Sequence, residues 1–428
     1  MSRESLTITD NRDGSSFELR IEQGAIDAAA LTAPFKQPEG PGLVIYDPGF
    51  AHTAGCHSAI TNIELAPGLL EHRGYPVEEL AEHSSFLEVA YLLIYGELPT
   101  AAHLDEWQQE LSSRKFVHEN VKKFIGGFRY DASPMAMLAA AVGALGAFYP
   151  DAGDIRDPAA RDIQIRRLMA KLPTLAAHAF RHGTGRPYVD PTDGLSYTEN
   201  LLSMLFKMSE LRYEADPVIA RALDTLLIVH ADHEQSAAAA AVRAVGSSLV
   251  DPYAAVAAGV YSLSGPPRGR ADADALRMLA EIGSVEQVSA YLDRVKASGE
   301  RIMGFGHWIY RAPDPRAGIL RRRLDELSTV HPASPLLAVA DELARQAAQD
   351  GYFTDRGIYP NVDLYSGLTY EAIGIPESMF GVMFALARSA GWIAQWNEMI
   401  TDPEQATVRP RQLYVGPPRR AYVALNDR

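Results

Sequence analysis

The stretch Arg301 to Arg316, RIMGFGHWIYRAPDPR, gathers residue types that handle anions and protons. Gly304 and Gly306 flank Phe305, and glycine lets a backbone approach a ligand with no Cβ in the way. His307 follows at once, and an imidazole trades a proton near neutral pH. Arg311 and Arg316 lie beyond it on a segment punctuated by Pro313 and Pro315. Their guanidinium forks match carboxylate or phosphate bidentately. Each residue alone reads as part of a solvated turn. Together they read as a catalytic turn that grips a small anion.

Three further constellations accompany it. In His230-Ala231-Asp232-His233-Glu234, at the end of an apolar helix, the two histidines are expected on one helical face. The order is not the HExxH of zinc proteases, and no neighbouring cluster completes a tetrahedral set, so no metal is expected. Substrate contact and a capping or core role stay open. Pro360 to Gly367 (PNVDLYSG) sets Asp363 among apolar neighbours at a loop-to-helix boundary. It is either an N-cap or a general base whose pKa burial has raised. Arg388 interrupts the apolar run Met379 to Trp392, where a charge is costly unless paired. Its partner is either a buried carboxylate of the protein or one on a ligand. Arg409 and Arg411 add two cations after a Pro/Asp linker.

The elements that must position these groups are mainly helical. Residues Leu6 to Ile21 alternate around Asn11 to Gly14 as a hairpin. An apolar strand is predicted at Leu43 to Tyr46, and apolar periodicity of helical type recurs from Leu69 onward. Segments predicted as helices include 134–149, 158–184, 215–232, 314–328, 366–374 and 376–398. Three regions follow: a β-rich segment at 1–65, a large helical domain at 66–270 and 376–428, and a smaller, more charged helical domain at 271–375. Chemistry is expected at their junction, where ligand clefts concentrate.

Composition narrows the class. With 47% apolar and 22% charged residues the chain has the make-up of a globular enzyme. A net charge of −14 disfavours a nucleic-acid partner. A lone cysteine, Cys56, excludes an internal disulfide and fits a reducing cytoplasm. The start MSRESLTITDNRDG has no apolar core, so no signal peptide is expected. The apolar run Met135 to Tyr149 is shorter than the roughly 20 residues of a membrane span and reads as a buried helix.

The motifs DPGF (47–50), HRGYP (72–76), HADHEQ (230–235), GFGH…DPR (304–316), PNVDLYSG (360–367), ARSAGWIAQW (387–396) and RPRQLY (409–414) fall in the order and spacing of citrate synthase. The chain resembles that family end to end, and its strand-rich start is similar to the form found in many Gram-negative bacteria. The resemblance implies a mostly α-helical fold whose large and small domains close over substrate, and a homodimer or hexamer. It implies condensation of acetyl-CoA, as co-substrate, with oxaloacetate and hydrolysis of the resulting thioester, without a permanently bound cofactor. In that scheme Asp363 removes the methyl proton and His307 donates to the keto oxygen. His233, Arg316, Arg388 and Arg409 hold oxaloacetate, Arg409 reaching in from the partner subunit, and Arg311 lies near the CoA phosphates.

One departure stands out. Where the family has the enol-supporting histidine of Gly-Pro-x-His-Gly-Gly-Ala-Asn, this chain reads Gly265-Pro266-Pro267-Arg268-Gly269-Arg270-Ala271-Asp272. Trp308 also stands where the matching form usually has arginine. Arg268 then has three readings. It stabilises the enolate as a fixed cation. With Arg270, it grips another acceptor, such as a phosphonate-bearing 2-oxo acid. Or it pairs with Asp363 and disables it, leaving a non-catalytic CoA-binding relative. Retention of the base and the whole acceptor cradle favours an active acyltransferase.

Overall fold

The computed structural model describes residues 4–35, 43–265 and 271–428. Arg268 and Arg270 lie outside the described residues. The chain divides into two compact units, Met1–His57 with Val408–Arg428, and Ser58–Thr407.

In the first unit, β1 (Ser5–Thr9) and β2 (Ser16–Arg20) form the expected hairpin, with Leu6 opposite Leu19. Its turn is closed by Gly14 N donating to Asp10 O at 2.8 Å, and Gly14 takes the positive φ that the turn needs. Asp27 caps the short helix Ala28–Thr32, and Phe17 meets Phe35 edge-on at 5.3 Å. The strand expected at Leu43 to Tyr46 does not form. No described edge pairs with it, and Tyr46 stays 73% exposed.

The second unit opens on a sheet that the sequence did not announce. Its strands β3 (Thr61–Glu64), β4 (Leu69–His72) and β5 (Tyr75–Pro76) run antiparallel in sequence order. They are too short for period-two patterning to stand out, and Gly68 and Gly74, both at positive φ, turn the chain between them.

Helices build the rest. Helix Phe380–Thr401 is buried almost continuously from Phe380 to Trp396 and packs on helices 86–95, 158–183, 217–230, 237–246 and 252–263. A helix apolar all round belongs in the core. Where it crosses the turn after helix Pro217–His230, Gly391 N donates to Ala231 O at 3.0 Å. A Cβ on Gly391 would collide with the Asp232 carboxylate, so glycine is what brings Arg388, one turn earlier, under the His230–His233 turn. The predicted 134–149 element is helix Pro134–Leu145 followed by the 3-10 turn Gly146–Phe148. Helix Pro252–Leu263 approaches it closely enough that a Cβ on Gly143 would sit 3.4 Å from the Cβ of Ala257.

Helices Ala271–Ile282, Val288–Ser298, Pro315–Leu327, Pro335–Gln349 and Asp363–Ile373 pack on one another. Two of them, Pro315–Leu327 and Asp363–Ile373, also pack on helix Pro217–His230. Asp314 caps the first of these two, accepting from Arg316 N, and Pro315 starts it with φ already set. Among the described residues no helix is long and apolar enough to cross a membrane.

The crossing at Gly391 gives a direct test. Gly391→Ala is expected to lower stability by about 1–3 kcal/mol through overpacking, read as a drop in the urea midpoint at constant m-value. A midpoint matching that of the parent would contradict the close approach.

Candidate active site

The Gly304–His307 turn is clamped to the start of helix Asp363–Ile373. Gly304 and Gly306 both have φ near +74° (74° and 73°), and a Cβ on Gly304 would lie 2.9 Å from Leu364 Cα. That proximity allows a short ladder. Asn361 N donates to Gly304 O at 2.9 Å, and Gly306 N donates to Tyr359 O at 2.8 Å. The Asn361 side chain finishes the clamp, its Nδ2 donating to Gly306 O and its Oδ1 accepting from Asp363 N, at 2.8 and 2.9 Å. One asparagine thus sets the distance between the backbone of His307 and that of Asp363.

His307 Nδ1 accepts from the backbone N–H groups of Ile309 and Tyr310 at 3.1 and 3.2 Å. A nitrogen that accepts carries no proton, so the proton sits on Nε2, which is a donor. Burial, with the charge of Arg316 adding to it, pulls the His307 pKa down to about 4, so the ring is neutral at pH 7. It stacks on Tyr310 at 4.4 Å and meets His233 edge-on at 5.0 Å. His233 Nε2 lies 3.2 Å from the Tyr310 hydroxyl, and burial followed by Arg316 and Arg388 holds its pKa well below the usual value. Tyr310 joins both histidines, a role that its place between His307 and Arg311 could have signalled.

Two buried arginines face this group in different states. Arg316 is paired bidentately with Asp314, Nε and Nη2 donating at 3.0 and 2.8 Å. Burial pushes the Asp314 carboxyl up, but the Arg316 charge and hydrogen bonds outweigh it and hold the carboxyl below its ordinary value. Asp314 also accepts from Val362 N at 3.1 Å, so the pair is tied to the Asp363 helix. Arg388 is only 4% exposed, yet among the described residues no carboxylate pairs with it. Its Nε donates to His230 O at 2.6 Å, and its guanidinium lies 4.7 Å from the centre of the Phe384 ring. Burial lowers its pKa to about 10, and the nearest support is the charge of Asp232. Of the two partners the sequence left open, no carboxylate among the described residues is paired with it.

Asp363 is half-buried in the first turn of its helix. The residue before that helix is Val362, so Asp363 does not serve as its N-cap. Burial raises its pKa to about 6 against the opposing charge of Arg316. Asp272, the residue in place of the family's asparagine, is buried too, and burial followed by the charge of Asp363 raises it to about 7.

Other expectations resolve less simply. The helix ends at His230, so His230 and His233 do not share a helical face. His230 packs on Phe384 with both ring nitrogens unpartnered, while His233 faces His307. Asp232 accepts from Thr61 Oγ1 at 2.6 Å, and Thr61 Oγ1 also lies 3.0 Å from His72 Nδ1, a buried chain that the sequence did not reveal. Arg311 is exposed, with its backbone N donating to Leu65 O at 3.0 Å. Arg409 is exposed and belongs to the other unit. A cavity of about 460 Å³ lined by Leu87, Leu111, Lys115, Tyr197 and Asp224 includes none of these groups. Among the described residues no cluster of three or more histidine, cysteine or acidic side chains could hold a metal.

In a mainly helical fold, two buried arginines and two histidines of lowered pKa gather near the first turn of helix Asp363–Ile373, a set able to hold an anion near a carboxyl of raised pKa. Residues 49–411 match the family profile "Citrate synthase, C-terminal domain". The citrate synthase of Dictyostelium discoideum is 45% identical over all of this chain and 85% of that protein. The peroxisomal citrate synthase of the same organism is 47% identical over all of this chain and 88% of that protein. Citrate synthase from Pyrobaculum aerophilum superposes with a TM-score of 0.84 at 32% identity, covering 92% of this chain and 99% of that one. A ternary complex of the Thermoplasma acidophilum enzyme with carboxymethyl coenzyme A and oxaloacetate superposes at 0.79 and 30% identity, over 88% and 98% of the two chains. The chain belongs to the citrate synthase family and is an enzyme of that kind.

Asp363 gives this site its pH signature. A base must be ionised to take a proton, so activity is lost as pH falls through its pKa. The kcat/KM profile is expected to bend near pH 6 and to fall about tenfold per unit below it. Asp363→Asn should abolish turnover and leave acceptor binding largely intact. A flat profile down to pH 5, or most of the rate surviving in the variant, would remove Asp363 from the role of base.

Proposed function

We propose that the protein condenses acetyl-CoA with oxaloacetate and hydrolyses the product thioester to citrate and CoA. Asp363 takes a proton from the acetyl methyl group. The enolate carbon so formed attacks the keto carbon of oxaloacetate, and His307 Nε2–H donates its proton to the keto oxygen as that oxygen becomes a hydroxyl. Water then cleaves the citryl thioester and CoA leaves as the thiol. Arg388, Arg316 and His233 hold the acceptor in this scheme, with the partner subunit's Arg409 closing the cradle. Arg311 meets the CoA phosphates. Arg268 supports the enolate oxygen as a fixed donor in place of histidine.

The observation that carries the reading is Arg388. Arg388 is buried with no carboxylate paired to it among the described residues, held by the His230 carbonyl, the Phe384 face and the charge of Asp232, and the dicarboxylate acceptor supplies the ion pair it lacks. The raised pKa of Asp363 and the Nε2 proton of His307 then fall into place beside it.

Assembly and setting follow the same reading. Segment 271–375 acts as the small lobe that closes on substrate over 66–270 and 376–428. The chain forms homodimers or hexamers, as the resemblance implies. The strand-rich start supports the Gram-negative type. A lone cysteine supports a cytoplasmic location, although one relative carries the name peroxisomal.

The test is free-thiol release from acetyl-CoA with oxaloacetate and then with other 2-oxo acids, including a phosphonate-bearing one. Robust release with oxaloacetate is expected. Release only with another acceptor would mean that the arginines at 268 and 270 redirected specificity. Silence with every acceptor, together with rescue by Arg268→His, would overturn the assignment of Arg268 as a working electrophile.

A further inference from the structure

Trp308 stands apart from the other tryptophans of the chain. Trp107, Trp392 and Trp396 are at most 1% exposed, whereas Trp308 is 85% exposed. It directly follows His307, and exposed Arg311 comes three residues later. Among the described residues no ring or cation lies against the indole, and no carboxylate pairs with Arg311.

This is not the exposure of a loose tail. His307 Nδ1 accepts from Ile309 N and Tyr310 N, and Arg311 N donates to Leu65 O, so the backbone on the C-terminal side of the indole is hydrogen-bonded in place. Gly306, two residues before it, is tied to Tyr359 and Asn361. The neighbours on either side, His307 and Tyr310, contact the buried His233. Trp308 alone is left presenting a large flat apolar face to solvent on a fixed loop at the edge of the site.

The chemistry of the co-substrate says what that face meets. The thioester must reach His307 and Asp363, so the remainder of the carrier has to leave the site past their edge. That remainder comprises a flexible pantetheine arm, phosphates and an adenine ring. A guanidinium suits the phosphates, and of the three parts only the adenine offers a flat π-face to an indole. We propose that Trp308 is a specificity-determining residue that stacks on the adenine of the acyl-CoA, beside the phosphates at Arg311. This inference rests on the acyl-CoA reading given above.

The experiment compares parent, Trp308→Ala and Trp308→Phe with acetyl-CoA and with S-acetylpantetheine, which lacks the nucleotide. Trp308→Ala is expected to raise KM for acetyl-CoA about tenfold while kcat and KM for oxaloacetate stay within about twofold. Trp308→Phe should recover most of the loss, and parent and Ala variant should be equal with S-acetylpantetheine. CoA should also quench the emission of the parent and shield it from iodide, a signal missing in Trp308→Ala. An unchanged KM, or an equal loss with both thioesters, would overturn the stacking role. If the parent shows CoA-dependent quenching but releases no thiol with any acceptor, the condensation reading fails and the stacking stands.

Discussion

The candidate site turns on a buried positive charge that no carboxylate among the described residues pairs with directly. Arg388 sits in a largely buried helix, held by a carbonyl and an aromatic face. A guanidinium so placed costs stability, because desolvation is not repaid by an ion pair. Arg316, also buried but different in state, has its carboxylate in Asp314. The pairing of one and the isolation of the other divide the labour. In the proposed scheme Arg316 fixes the frame, and Arg388 is left to attract the acceptor. The same two charges help to keep His233 neutral, and Arg316 does so for His307, which lets the histidines donate rather than repel a cationic neighbour.

Holding such a group in place requires backbones to come closer than side chains ordinarily permit. At Gly391 the central helix meets the Ala231 carbonyl, and at Gly304 the catalytic turn meets Leu364. Asn361 then links Gly306 to Asp363 through one amide. The helices that carry Arg316, Asp363 and Arg388 all pack on one helix, Pro217–His230, and in the proposed scheme misplacement by about 1 Å at such contacts is costly to rate.

The residues proposed for the site stood out in the sequence because they break local patterns. Arg388 shows as a charge in an apolar helix, and the Gly-Phe-Gly-His turn shows as two glycines around an aromatic. What the sequence left open were questions of distance. Whether Arg388 had a protein carboxylate, and whether Asp363 capped a helix, depend on where other segments come to rest. Helix 363–373 begins three residues before the predicted 366, where Asn361 Oδ1 accepts from Asp363 N just ahead of the helix and the distant Asp314 accepts from Val362 N. The three short strands 61–76 and the Thr61–Asp232 link were hidden for a similar reason. Their order comes from turns and long-range bonds that leave little periodicity behind. Trp308 was visible as an oddity, and only its exposure gave it a role.

The measurement that tests the central claim most directly is made on Arg388→Leu, by calorimetric titration with oxaloacetate and by thermal unfolding of the ligand-free protein. If this buried cation is kept for the acceptor, the variant binds oxaloacetate at least about 100-fold more weakly, as expected when a buried charged contact is lost. Its ligand-free midpoint should also hold or rise, because an apolar side chain replaces a desolvated charge. Unchanged oxaloacetate affinity with a lowered midpoint would show that Arg388 serves the fold, and the account built on it would be wrong.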